Sequence, residues 1–381
     1  MEENFNEEKN VNKNDNLNKN STTKIITYLT IFFVGCLAMY AVVYFFPVAI
    51  TEDVIKEVRD VTINDTGIAE SVAKVYDSVV IVSTYRDGTY IASGTGFVYQ
   101  ANGDTYYLLT NYHVIEDGDS VTVTFTNGNV VETEIVGHDQ YADIAVLSIE
   151  SDEDLVVAEL GDNSESRVGD TAFAVGAPLD SAYSWTVTRG IISGKDRMVE
   201  VSLSNSNTSD YVMKVLQTDA AINSGNSGGP LCNANGEVIG ITSLKLISDG
   251  VEGMGFAIPI EDAVDKAEKI IAGEVIVYPV IGVGLIDFAN AYPQYYSLIR
   301  NSGLEHGVII ASVEDGSAAA DAGMEPNDIV TSIDGKEVLN GAYFRYYLYQ
   351  HSIGDKVIIT VYRDGDKVDL ELTLSADGQT L

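Results

Sequence analysis

The densest chemical content lies in the run Asn223-Ser224-Gly225-Asn226-Ser227-Gly228-Gly229-Pro230-Leu231. Glycines on both sides of Ser227 let the backbone turn tightly and leave the hydroxyl accessible. They also let neighbouring N–H groups converge on one point, which a developing oxyanion needs. A serine hydroxyl is a weak nucleophile until a base takes its proton. Of the four histidines, His113, His138, His306 and His351, His113 stands directly after the apolar run Leu108-Leu109-Thr110-Asn111-Tyr112. An imidazole base in turn needs an acid to fix its tautomer. Asp143 opens the run Ile144-Ala145-Val146-Leu147, and a carboxylate at the mouth of a buried strand is costly unless paired. Asp139 competes for that role but has no evident core strand beside it. Each residue also has a plain structural reading: a histidine ending a strand, an aspartate capping a turn.

Around these residues, short runs of Val, Ile, Thr and Tyr broken by Gly, Asn and Asp read as a mostly β chain. Its 381 residues suggest two or three folding units. Strands alternate with turns from about 67 to 258, with spacing suited to a barrel or sandwich. A Ser/Asn-rich stretch at 202–210 reads as a long loop. Pro259 opens a helical segment that Gly273 stops. A second unit follows: a strand over 307–313, a short helix ended by Gly323, a strand running into the Asp334-Gly335 turn, a helix over 340–350 and a hairpin. The organisation read from this is 1–24 tail, 25–46 anchor, 47–66 linker, 67–258 first domain, 259–274 linker helix and 275–376 second domain.

Residues 25–46 carry no charged side chain. Twenty-two helical residues span roughly 33 Å, enough for a bilayer core. No small-x-small cleavage site follows, so an uncleaved transmembrane anchor is expected. Lys9, Lys13, Lys19 and Lys24 precede it, which places the N-terminus in the cytoplasm and the rest outside the cell membrane. The net charge of −35 repels phosphate backbones and excludes nucleic acid as a partner. Cys36 and Cys232 lie in unrelated segments, so no disulfide is expected. The chain shows no metal-ligand spacing, and no metal or other cofactor is expected.

His113, Asp143 and Ser227 stand in the order His, Asp, Ser known from chymotrypsin-like enzymes. The segments around them are similar to those of the HtrA/Deg serine proteases: Ser93-Gly94-Thr95-Gly96-Phe97, Thr110-Asn111-Tyr112-His113-Val114, Asp143-Ile144-Ala145-Val146-Leu147 and Gln217-Thr218-Asp219-Ala220-Ala221-Ile222-Asn223. The likeness covers about 67–375, with one departure at Ser224, where the family commonly has proline. It implies a chymotrypsin-like double β-barrel protease domain followed by a PDZ-like α+β domain. It also implies the triad His113, Asp143 and Ser227, with the N–H groups of Gly225 and Ser227 as oxyanion donors. Ala221, six residues before Ser227, and Ile222 would shape the specificity pocket. Arg197, in the segment after Ser193, matches an arginine of the family's sensor loop. Val280, Ile281, Gly282 and Val283 fall at the PDZ carboxylate-binding loop, with one or two aromatics of 343–349 lining the groove. The resemblance further implies a homotrimer packed through 72–76 and an ATP-independent endopeptidase. Its partners would be unfolded or misfolded proteins and peptide C-termini, or regulatory membrane substrates. A catalytically weak peptide-binding scaffold or holdase is the alternative from another class.

Overall fold

A computed structural model describes residues 11–45, 66–176, 185–202, 209–244 and 253–376. Most of the expected 47–66 linker and of the 202–210 loop lies outside the described residues. The chain divides into two units, Met1–Asp65 and Thr66–Leu381. In the first, helix α1 (Val11–Phe45) runs for 35 residues. Its stretch Lys24–Ala41 is long and apolar enough to cross a membrane, by length and composition. The helix begins earlier than the expected anchor and takes in part of the polar tail. Once the apolar segment has nucleated, each added residue gains a hydrogen bond without a new nucleation cost.

The second unit opens with α2 (Thr66–Val75), which docks on its own chain: Lys74 Nζ donates to Asn235 O at 2.9 Å, and Val75 is buried. Six strands then close a first barrel: β1 (Val79–Arg86), β2 (Thr89–Asn102), β3 (Thr105–Thr110), β4 (Ser120–Thr124), β5 (Val130–Asp139) and β6 (Ile144–Glu150). The order around it is β1-β2-β3-β6-β5-β4. The short helix α3 (Tyr112–Ile115) leaves β3. A second barrel, ordered β10-β11-β12-β9-β8-β7, is built from β7 (Thr171–Gly176), β8 (Thr186–Val201), β9 (Tyr211–Thr218), β10 (Pro230–Asn233), β11 (Val238–Thr242) and β12 (Gly255–Pro259). Phe97, Leu109, Ile144 and Val146 from the first barrel and Phe173, Val175, Val215 and Ile241 from the second share one buried cluster. A continuous core therefore fixes the two barrels against each other, and the seam between them can hold residues from both.

Helix α4 (Ile260–Ile271) belongs to this body rather than to a loose linker. Ile260, Ala263, Ala267 and Ile270 recur at helical spacing and are buried against the barrels. Each such isoleucine contributes about 1.5–3 kcal/mol by leaving water. Ile270 lies over Gly137, where an added Cβ would come within 2.8 Å of its Cγ2.

The remainder is a sheet ordered β13-β14-β15-β17-β18, with β16 beside β15. Its elements in chain order are β13 (Val283–Asp287), α5 (Tyr296–Ser302), β14 (Val308–Val313), α6 (Ala318–Asp321), β15 (Ile329–Ile333), β16 (Lys336–Glu337), α7 (Gly341–Leu348), β17 (Lys356–Arg363) and β18 (Asp366–Thr373). Asn340 caps α7, its Oδ1 accepting from the N–H groups of Ala342 and Tyr343 at 3.0 and 3.1 Å. Phe344 and Leu348 from α7 pack into the sheet's own core with Ile281, Val308 and Val330.

One buried ion pair holds the far side of this sheet. Asp328, 1% exposed, receives Arg363 Nε and Nη2 at 2.6 Å each, and Arg363 Nη2 also donates to Gly323 O at 2.8 Å. Arg363→Ala leaves that carboxylate without its cation. It is expected to destabilise the domain by about 3 kcal/mol, read as an earlier unfolding transition in calorimetry. An unchanged transition would show that the pair adds nothing.

Candidate active site

The seam between the barrels gathers the three candidate residues from separate elements. His113 rides on α3 after β3, Asp143 sits in the turn between β5 and β6, and Ser227 precedes β10. His113 Nδ1 faces both oxygens of Asp143, Oδ2 at 2.8 Å and Oδ1 at 3.0 Å. A carboxylate can only accept there, so Nδ1 carries the proton and Nε2 keeps a lone pair. The carboxylate is fully buried and has two further donors: the His113 N–H at 3.0 Å and Ser243 Oγ at 3.0 Å. Its backbone is held as firmly, since Asp143 O accepts from Asn111 Nδ2 at 2.9 Å and from Tyr112 N–H at 3.2 Å. Asp143 adopts φ +55°, a left-handed conformation that costs roughly 1–2 kcal/mol outside glycine. Such strain persists where surrounding contacts over-determine it.

The Ser227 turn is pinned from the first barrel. Thr95 N–H donates to Ser227 O at 2.8 Å, and Thr95 Oγ1 donates to Gly225 O at 2.6 Å. Glycine is required at 228: φ is +83°, and an added Cβ would lie 2.2 Å from Thr95 O. Gly225 has φ +102°. Among the described residues, neither the Gly225 N–H nor the Ser227 N–H donates a hydrogen bond. Ser227 is 4% exposed, and its Oγ accepts from Leu244 N–H at 3.0 Å. Among the described residues it makes no hydrogen bond to His113. Base and orienting acid are therefore assembled, while the hydroxyl is parked on a neighbouring amide.

Of the two residues expected to shape a specificity pocket, Ala221 is exposed and its carbonyl accepts from Thr188 Oγ1 at 2.9 Å. Ile222 is buried in the second barrel's core and covers Gly255. Asp219 is tied to β8, accepting from Ile191 N–H at 2.7 Å. Arg197 is not in a loop. It lies on β8 opposite Val215, where the strand continues through bulges at Gly194 and Asp196. Among the described residues Arg197 makes no ion pair or hydrogen bond to the C-terminal sheet. Two residues that sequence patterning did not single out make that contact: Arg345 Nη1 donates to Asp210 O at 2.8 Å, and Asn340 Nδ2 donates to Glu200 Oε1 at 2.9 Å.

A second concave site lies on the C-terminal sheet. Val280, Ile281, Gly282 and Val283 border a cavity of about 320 Å³, with Phe344, Arg345, Leu348 and Tyr349 opposite. Strand β13 beside it is an edge strand. Gly282 bends the loop with φ +75°. Its carbonyl accepts from Glu314 N–H at 2.9 Å, and that of Ile281 accepts from Ala319 N–H at 3.1 Å. Among the described residues, the N–H groups of Ile281 and Gly282 donate no hydrogen bond, and both residues border this cavity next to the edge strand β13. Ile281 itself points into the core, which leaves its backbone for this role.

Comparison with known proteins agrees with this anatomy. Residues 94–241 match the trypsin-like peptidase domain family, and residues 279–374 match the PDZ domain family. "Serine protease Do-like HtrA" of Lactococcus lactis subsp. cremoris is 36% identical over 349 residues, covering 84% of this chain and 85% of that protein. The "Serine protease Do-like HtrA" of Bacillus subtilis is 40% identical over 297 residues, 77% of this chain and 65% of the relative. Among solved structures, an "HtrA-type protease AlgW with decapeptide" superposes with a TM-score of 0.62 at 30% identity, covering 81% of this chain and 98% of the other. The serine endoprotease from Yersinia pestis gives 0.60 at 28% identity, covering 81% and 97%.

Proposed function

Since the chain belongs to the HtrA family of serine proteases, we propose that it is an ATP-independent endopeptidase that cuts misfolded or regulatory proteins outside the cell membrane. Its PDZ domain would select exposed peptide ends. The observation that carries the reading is the His113–Asp143 pair brought against the Ser227 turn at the barrel seam. In this mechanism Ser227 Oγ leaves the Leu244 amide and turns to His113 Nε2 when substrate binds. Catalytic hydrogen bonds commonly tighten only in the substrate complex. His113 takes the hydroxyl proton as Oγ attacks the scissile carbonyl, then returns it to the leaving amine. Asp143 holds the imidazole and stabilises the imidazolium. The free N–H groups of Gly225 and Ser227 receive the oxyanion. Ala221 in place of an acid favours cleavage after small or medium apolar residues. Arg197, on β8, is the regulatory contact in this reading, brought into play when that strand rearranges on peptide binding.

At the second site, an extended peptide adds to the β13 edge, and the Ile281 and Gly282 N–H groups hold its terminal carboxylate. Helix α1 is the membrane anchor in this reading, with its N-terminal side in the cytoplasm. External protease on spheroplasts should then remove an epitope at Leu381 and spare one near Met1. A homotrimer belongs to the same reading, and a strictly monomeric active protein in light scattering would remove it.

The Ser227–Leu244 hydrogen bond is the one feature that favours the alternative of a scaffold or holdase. Casein turnover separates the two. The full chain in detergent, without nucleotide, should degrade β-casein, and a peptide with a free C-terminus should bind more tightly than its amidated form. Peptide binding with intact casein would favour the scaffold.

A further inference from the structure

Glu116 ends the short helix that carries His113. Its N–H donates to Tyr112 O at 2.9 Å, so the last turn of α3 closes on it. Residues three apart on a helical turn are neighbours on one face, which sets Glu116 beside His113. The His113 side chain is 23% exposed there. Glu116 is exposed, and among the described residues its carboxylate makes no ion pair and no hydrogen bond. The acids that follow it are engaged. Asp117 Oδ1 lies 3.0 Å from Arg86 Nη2. Asp119 Oδ2 accepts from the Asp87 N–H at 2.7 Å, and its Oδ1 from Ser120 Oγ at 3.2 Å. Among the described residues of this turn, Glu116 is therefore the acid left free beside the base.

The chemistry of the triad says which half of a substrate passes that charge. His113 hands its proton to the leaving amine, so the scissile nitrogen must lie on the His113 side. The residues that follow that nitrogen start from the same place and run past α3. The half kept as the acyl group stays on Ser227 and extends the other way. A free carboxylate beside His113 therefore meets the leaving half of the substrate and not the acyl half.

We propose that Glu116 is a specificity-determining residue that favours substrates with Lys or Arg shortly after the scissile bond. The idea rests on the protease reading and triad assignment above. A substrate cation that reaches Glu116 forms an exposed ion pair, and such a pair changes an equilibrium by a factor of about three. Salt weakens it. The net charge of −35 draws cationic chains to the protein in general. That broad field does not distinguish one side of the scissile bond from the other, whereas Glu116 does.

The test uses the full chain in detergent and quenched peptides built on one sequence cut in casein. One pair carries Lys or Gln at the second residue after the scissile bond. The other carries Lys or Gln at the third residue before it. At about 0.1 M salt, wild-type kcat/KM should be about threefold higher for Lys than for Gln after the bond. Glu116→Gln should bring that ratio close to one, and Glu116→Lys should invert it. Salt of about 1 M should flatten it in the wild type. The ratio for the pair before the bond should hardly move in either variant. Ratios taken within one preparation do not respond to a loss of active sites, which is what a merely structural role would cause. A Lys preference that survives Glu116→Gln overturns the proposal, as does an equal change in both pairs or a wild-type ratio of one. Failure of the wild type to cut any of these peptides removes the protease reading and this inference with it. Normal cutting with unchanged ratios removes the inference alone.

Discussion

Ser227→Ala is expected to lower casein turnover by about 10⁶-fold, to the level left by binding and oxyanion donors alone. The loss belongs to the chemistry, because the substitution takes away the only atom that forms the acyl bond. The fold should hardly notice. Ser227 Oγ makes a single hydrogen bond among the described residues, accepted from Leu244 N–H, and losing one such bond costs about 1 kcal/mol. The Thr95 contacts that pin the turn use backbone oxygens of Ser227 and Gly225, which alanine at 227 retains. Initial rates together with thermal unfolding check both halves. Turnover within tenfold of wild type would mean that another nucleophile does the work.

Asp143→Asn should cost about 10⁴-fold in kcat. The amide is nearly isosteric with the carboxylate, but its NH₂ group would face His113 Nδ1. The imidazole then carries its proton on Nε2, the atom that must accept one from Ser227. Because Asp143 is fully buried with three donors aimed at it, the asparagine cannot escape by turning outward. Combined with Ser227→Ala, it should add almost nothing, since the three groups act as one unit. Additive losses would show that the residues do not share a mechanism.

How much of this is legible in the sequence depends on range along the chain. The glycines around Ser227 and the apolar runs next to His113 and Asp143 are local patterns, and the resemblance they carry is what the family comparisons show. The helix at 260–271 is legible from Pro259 and Gly273, but its packing on the first barrel is not. That packing depends on Gly137, more than a hundred residues earlier, leaving room for Ile270. Asp139 is rightly passed over as the acid of the triad, since His113 pairs with Asp143; β5, which ends on it, exposes half of its residues and shows no apolar run that would mark Asp139 as buried. Its Asx spacing to Tyr141 and Ala142 is the available signal. Ser243 and Leu244, which touch Asp143 and Ser227, sit in no motif of their own and reach the site only because the second barrel closes. Arg197, which the resemblance assigns to a sensor loop, lies on a strand because bulges let β8 run through Gly194 and Asp196.

The most direct test of the central claim is covalent capture of the nucleophile. A fluorophosphonate probe added to the full chain in the presence of unfolded casein should modify Ser227, located by mass spectrometry of the peptide that contains it. The same probe should leave His113→Ala essentially unlabelled. Stoichiometric labelling of a different residue, or labelling of Ser227 that persists undiminished without His113, would contradict a serine activated by that histidine.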